Sequence, residues 1–247
     1  MSLNTKIWAT FDKSFDIGCR VIKWDESDGF NFIPNKKYTK RDVSYEILKN
    51  KLTQFTVHWS VTYRSKYMFN GLKARGLSVN FMIDDDNVNG YATIHQCLPI
   101  MYAGWSQGSS GGRSFNSLGP GVEISYMPQK WETDMYDAHD QKKWGVPPHD
   151  SVRAPIHGTH MTVHLPTKAQ MESLYQLIWG YCELFPEIKA EFPKDDNGNY
   201  ITTVLSKPHD YVGLVNHYNL RRSKIDAAGL DLAKIEKEVA ARKLLGY

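Results

Sequence analysis

Phe55-Thr-Val-His58-Trp-Ser-Val61 is the stretch whose reading decides the fold. It is a short apolar run interrupted by one histidine, and it reads as the first core strand of the chain. On its C-terminal side, Lys66 to Ala74 has the character of a helix closed by Gly76, a favoured C-terminal cap. Leu77-Ser-Val-Asn-Phe-Met-Ile83 then reads as a second core strand. The Asp/Asn/Gly turn from Asp84 to Gly90 leads into Tyr91 to Leu98, a hairpin signature. Gly119 to Tyr126 is a third core strand with one embedded charge, Glu123.

Further out, Thr159 to Leu165 reads as another strand, and Thr167 caps an amphipathic helix that Pro186 ends. Met171, Leu174, Tyr175, Ile178, Tyr181 and Cys182 recur along that helix at helical spacing. Tyr211 to Asn216 leads into His217, and Leu230 to Leu245 is a C-terminal amphipathic helix. Strands interleaved with helices predict an α/β fold, a central mixed β-sheet flanked by helices. Residues 1–50 are expected to be an N-terminal extension packed on the core. Within it, Phe15 to Trp24 is strand-like, Asp25 to Lys37 turn-rich, and Arg41 to Leu52 a short helix. Residues 51–247 would form the functional domain, single overall, with 127–158 a long ordered loop insertion rich in Pro, Asp, His and Trp.

Composition excludes several classes of protein. A net charge of +3, with no Lys/Arg-rich run, gives no electrostatic case for nucleic acid. Three widely separated cysteines, Cys19, Cys97 and Cys182, fit buried free thiols better than a disulfide framework or a thiolate zinc site. No apolar stretch is long enough to span a membrane. The first residues lack the apolar core of a signal peptide, so synthesis in the cytoplasm is expected. The acidic turn at Asp84 to Asp86 lacks the alternation and the closing glutamate of a calcium loop. Gln107-Gly-Ser-Ser-Gly-Gly-Arg-Ser114 lacks the Gly-Lys-Ser/Thr of a phosphate-binding loop, and reads as a flexible loop beside something else.

The chemistry concentrates at two places. His217 is followed nine residues later by Asp226, with Lys224 two before it. Together with His58 these supply two histidines and a carboxylate, the ligand set of a catalytic zinc that keeps a fourth position for water. Each residue also has an ordinary alternative. His58 could be a satisfied core histidine, Asp226 a helix cap before Leu230, Lys224 part of a solvated basic run with Arg221 and Arg222, and Glu123 a glutamate on the solvent face of an edge strand. His157, His160 and His164 form a rival histidine set without a supporting carboxylate.

Five pieces, in order, resemble the type-2 N-acetylmuramoyl-L-alanine amidases, the family of bacteriophage lysozyme-amidases and peptidoglycan recognition proteins. Phe55-Thr-Val-His58-Trp-Ser resembles the strand of the first zinc histidine. Val79-Asn-Phe-Met-Ile-Asp, with the hairpin to Gln96, resembles the family's Tyr-His-Phe-Leu-Ile-Asp and the strand after it. Met101-Tyr-Ala-Gly104 resembles Trp-His-Ala-Gly. Asn116-Ser117 with Gly121-Val-Glu123-Ile resembles Asn-x-x-Ser-Ile-Gly-Ile-Glu, and Val215-Asn-His217 with Lys224-Ile-Asp226 resembles Gly-His-x-Asp and Lys-x-Asp-Pro-Gly. The chain departs from the pattern at Val79, Asn80, Tyr102 and Ala227-Ala228.

The resemblance implies Zn2+ on His58, His217 and Asp226, with Glu123 as general base and Lys224 stabilising an oxyanion. It implies peptidoglycan as the partner, cut between N-acetylmuramic acid and L-alanine, with Tyr102, Trp105, Asn116 and Ser117 in the substrate groove. A monomeric, phage-type lysin acting on the cell wall is the expected setting. An inactive peptidoglycan-binding module and a virion structural protein on the same fold are the alternatives.

Overall fold

The computed structural model describes residues 3–32, 44–128 and 149–246. Its centre is a six-stranded mixed sheet. In chain order the strands are β3 (Val21–Lys23), β4 (Gln54–Val61), β5 (Phe81–Ile83), β6 (Ile94–Gln96), β9 (Gly121–Tyr126) and β12 (Gly213–Asn216), and across the sheet they run β12-β4-β9-β5-β6-β3. The first four in that spatial order are parallel to one another; β6 runs antiparallel to β5, and β3 pairs parallel with β6. The α/β prediction therefore holds, with β5 and β6 as the predicted hairpin. The expected strand from Phe15 to Trp24 is instead two pieces. β1 (Lys6–Trp8) and β2 (Ser14–Asp16) form a separate hairpin, and a turn at Gly18 delivers the chain to β3 at the sheet edge.

β4 explains why the centre is buried on both faces. Phe55, Val57 and Trp59 point into the main core, while Thr56, His58 and Ser60 point to the other face, and all six are buried. β9 repeats the pattern, with Val122 and Ile124 in the main core and Glu123 and Ser125 opposite. Parallel strands covered on both faces carry such runs. Here one face is apolar and the other carries the polar groups.

The apolar face is covered by α3 (Lys168–Leu184), whose start is fixed by a capping box between Thr167 and Gln170. This helix is buried nearly all round, because β1 and β2 pack on its far side and α5 (Leu232–Leu245) flanks it. Arg242 of α5 donates to Glu172 of α3 at 2.7 Å. The opposite face is covered by α2 (Ser65–Ala74), with Leu72 packed against Val79 and Met82. Before β4, α1 (Tyr45–Lys51) begins at Ser44; the start of the expected Arg41 to Leu52 helix, and part of the Asp25 to Lys37 turn, lie outside the described residues.

Gly180 of α3 is where the N-terminal hairpin docks. A Cβ there would lie 2.2 Å from Cγ2 of the fully buried Ile17 and 3.2 Å from Cδ1 of Ile7. Alanine favours helix over glycine by about 1 kcal/mol, but overpacking a closed core costs about 1–3 kcal/mol. Gly180→Ala is therefore expected to lower the thermal midpoint by several degrees, read by calorimetry; an unchanged or raised midpoint would mean that Ile17 yields freely.

The region expected as one long loop, 127–158, is only partly so. Residues 129–148 lie outside the described residues, but Ser151–Ile156 is a strand, β10, paired antiparallel with β11 (Thr159–His164). β11 thus belongs to a two-stranded ribbon and not to the main sheet. His157 and Gly158 join the two strands with φ of +51° and +81°, the left-handed pair that a tight two-residue hairpin turn requires. Cys19, Cys97 and Cys182 are all buried and free, and no helix among the described residues is long and apolar enough to cross a membrane.

Candidate metal centre and active site

The register of the sheet assembles the site. His58 on β4 pairs directly with Glu123 on β9, so both side chains project from the same, polar face. β12 pairs with β4 up to Asn216 opposite Val57, and one residue later the chain turns into α4 (His217–Leu220). Asn216 opens that short helix, with Asn219 Oδ1 accepting from its backbone N–H at 3.0 Å. His217 is thereby brought beside His58. The segment after α4 curls back, with Tyr218 N–H donating to the Asp226 carbonyl at 3.0 Å, and presents the Asp226 carboxylate to both rings.

The three donor atoms converge. Nδ1 of His58 lies 3.0 Å from Nδ1 of His217, and Oδ2 of Asp226 lies 3.0 Å from the first and 2.8 Å from the second. Among the described residues this is the single group of three or more such side chains placed to hold a metal ion. Three lone pairs facing one another at these separations suit a cation at their centre. A tetrahedral zinc with bonds of about 2.0–2.1 Å spaces its ligand atoms about 3.3 Å apart, a few tenths wider than this triangle. The donor set, two imidazoles and one carboxylate with a side open to a cleft, therefore fits a catalytic metal site.

His58 is 1% exposed, and burial, with the neighbouring His217 ring adding to it, pushes its imidazole down to about 4 against the pull of Asp226. Asp226 sits well below the usual carboxylate range: the two imidazoles outweigh the desolvation that burial imposes. In the metal-free protein, His58 is neutral while the unfolded chain takes up a proton near 6.5. Between those values the unfolded state binds more protons, so this stabilisation is complete above about pH 6.5 and is lost as pH falls toward 4. The slope is at most about 1.4 kcal/mol per pH unit for one proton. Melting of the chelator-treated protein from pH 7 to 4 should show this decline; a flat profile would place a charged His58 in the fold.

Glu123 is 5% exposed and its Oε2 has no hydrogen-bond partner among the described residues. Burial first, then the nearby Asp226 charge, raise its carboxyl well above the ordinary range, opposed by Lys224 and Arg75. It opens with His217, Lys224 and Asp226 onto a cleft of about 470 Å³. One wall of that cleft is a face of α2, with Tyr67, Gly71 and Arg75 spaced one turn apart. Trp59, at the end of β4, and Ser106 complete the rim. Trp59, Tyr67 and Arg75 were not singled out from sequence, although the i, i+4, i+8 spacing on α2 was there to be read.

The other expected groove residues are placed differently. Trp105 is 42% exposed and adjoins Ser106, with its N–H donating to the Ser78 carbonyl at 2.6 Å. Asn116 is buried, and its Oδ1 accepts from the backbone N–H groups of Ser106 and Gln107 at 3.1 and 2.9 Å, so it shapes the rim from behind. Ser117 donates to the Ser114 carbonyl, and Tyr102 is half-buried with its ring edge-on to Phe11. Tyr102, Trp105, Asn116 and Ser117 are not among the residues that line the cleft. Val79 and Asn80 are both fully buried, Asn80 donating to the Pro99 and Tyr102 carbonyls, so neither offers a group to a substrate.

The capping role considered for Asp226 falls to Asp231, whose Oδ1 accepts from Lys234 N–H at 2.9 Å. The rival histidines do not converge. His164 Nδ1 lies 2.8 Å from Ser151 Oγ, and His160 is exposed. His157 reaches over to the Lys224 carbonyl, with Nε2 at 2.8 Å, and braces the segment that carries Lys224 and Asp226.

Two solved structures resemble this chain in backbone course. One is the hydrolase AmiA of Staphylococcus aureus in complex with its ligand, 15% identical, covering 92% of this chain and 85% of that one with a TM-score of 0.48. The other is a selenomethionine derivative of AmpD, also 15% identical, covering 77% of this chain and 86% of that one with a TM-score of 0.41. No family model matches the sequence, and no curated protein does.

Proposed function

We propose that this protein is a zinc-dependent amidase that hydrolyses the bond between N-acetylmuramic acid and L-alanine in peptidoglycan. The observation that carries the proposal is the convergence of His58, His217 and Asp226 beside Glu123, its in-register neighbour in the sheet. The ordered sequence resemblance supplies the substrate. Zinc held by the triad would contribute Lewis acidity toward water and the scissile carbonyl.

The chain's own residues do the rest. Glu123 takes a proton from the attacking water and passes it to the departing amide nitrogen, a role suited to a carboxyl whose proton affinity is raised by burial and by the nearby Asp226 charge. Lys224 lines the same cleft and neutralises the oxyanion of the tetrahedral intermediate. Tyr67 offers aromatic surface and Arg75 a charge along the cleft wall, which suits a substrate with sugar and peptide parts. The proposed catalytic unit spans residues 51–247.

Mass spectrometry of purified peptidoglycan after incubation with the zinc-loaded protein tests this directly. The expected products are stem peptides with new free L-alanine amino termini, absent with Glu123→Ala. Intact lactyl–alanine linkages in the presence of bound zinc would refute the proposed reaction.

A further inference from the structure

The Gly/Ser loop at 107–114 takes no part in the centre described above. It folds into a small hairpin, β7 (Ser109–Ser110) and β8 (Arg113–Ser114), and faces a second cavity of about 740 Å³. Ser109 and Ser110 line it from one side, Thr203 from another, and Arg221 and Arg222 from the segment that leads into Lys224. His157, whose ring braces the Lys224 carbonyl, lines it as well. No carboxylate among the described residues does.

Both arginines are exposed, and neither makes an ion pair or a side-chain hydrogen bond among the described residues. Gly108 makes room for one of them. With φ at +76°, its backbone approaches so closely that a Cβ would lie 2.5 Å from Nη1 of Arg221. The cavity thus holds two guanidinium groups and several hydroxyls, a surplus of donors over anionic side chains among the described residues. A guanidinium presents a fixed fork of N–H groups that matches a carboxylate in two-pronged fashion. A concave surface with charge of one sign also concentrates ligands of the other. The donors are spread over three chain segments around a volume far larger than one phosphate, which favours an extended ligand bearing carboxylates.

We propose that this cavity binds a carboxylate-bearing peptide, the acidic peptide part of the substrate whose amide is cut at the metal centre. The identity of the ligand rests on the amidase reading; the charge of the site does not. The two sites share one segment, because Arg221 and Arg222 directly precede Lys224 and Asp226.

The test compares acetyl-L-alanyl-glutamate with the same dipeptide converted to its bis-carboxamide, by calorimetry on the full chain at low salt. The wild type should bind the acid at least about tenfold more tightly than the amide, and lose that preference as salt rises. Arg221→Gln/Arg222→Gln should abolish the preference. On wall fragments it should raise KM about tenfold and leave kcat within about twofold, as expected when an interaction equal in ground and transition states is removed. Gly108→Ala, which displaces the guanidinium without removing its charge, should weaken acid binding in the same direction. Equal affinity for acid and amide, or selectivity unchanged in the double variant, would overturn the proposal. Inorganic phosphate competing as tightly as the dipeptide would also overturn it, leaving a small-anion site. Preserved acid selectivity without any wall cleavage would leave this site standing and remove the amidase reading.

Discussion

Glu123→Gln is expected to lower the rate of the proposed wall-fragment hydrolysis by about 10²–10⁴-fold, the usual contribution of a positioned general acid–base. The exchange keeps the shape of the side chain and removes the group that shuttles the proton. Its effect on stability runs the other way. Glu123 is buried with one carboxyl oxygen lacking a partner among the described residues, and burial and the Asp226 charge oppose its ionisation. A neutral amide in that position escapes this cost, so the variant should melt at or above the wild-type temperature and bind as much zinc. Loss of turnover in a folded, metal-loaded protein separates chemistry from assembly. A variant retaining more than about a tenth of wild-type kcat would remove Glu123 from the reaction, since that loss is below what a general base contributes.

The second large effect concerns the metal itself. Asp226→Ala removes the one anionic donor and leaves two imidazoles that are nearly fully buried. Zinc affinity should fall by more than about a hundredfold, beyond the loss seen when a group that merely orients a ligand is removed. A thermal measurement reports this without any substrate. Zinc at a hundred times its dissociation constant stabilises a folded protein by about 2.7 kcal/mol, which at this chain length raises the midpoint by about 5–10 °C. That rise should appear in the wild type and vanish in Asp226→Ala, with metal content by atomic emission following it. An equal rise in both would put the zinc elsewhere.

Sequence reading reached the middle of the sheet more surely than its surroundings. β4 and β9 are largely apolar runs, each broken by one acidic or imidazole side chain, and burial on both faces makes such runs visible without knowledge of their partners. The geometry around Asp226 was less accessible, since its neighbours come from β4 and α4, over a hundred residues apart in the case of His58. β10 was missed because Pro155 weakens a strand pattern, and because the His157-Gly158 turn depends on left-handed backbone that histidine adopts only occasionally. The placing of Asn116 behind the rim was invisible for a different reason. A buried amide tied to backbone groups and a groove-lining amide leave the same letter in the sequence.

The pairing of His58 with Glu123 across two adjacent parallel strands has an engineering consequence. Their separation is fixed by the spacing of neighbouring strands, about 4.8 Å, and by a ladder of backbone bonds that cannot be lengthened locally. One metal ligand and the base are thus welded into the chassis, whereas β7–β8 and the 221–223 segment are attached to its rim. Transplanting those two loops from a homologous scaffold should retarget the protein to a different polymer while the reactive pair stays in place.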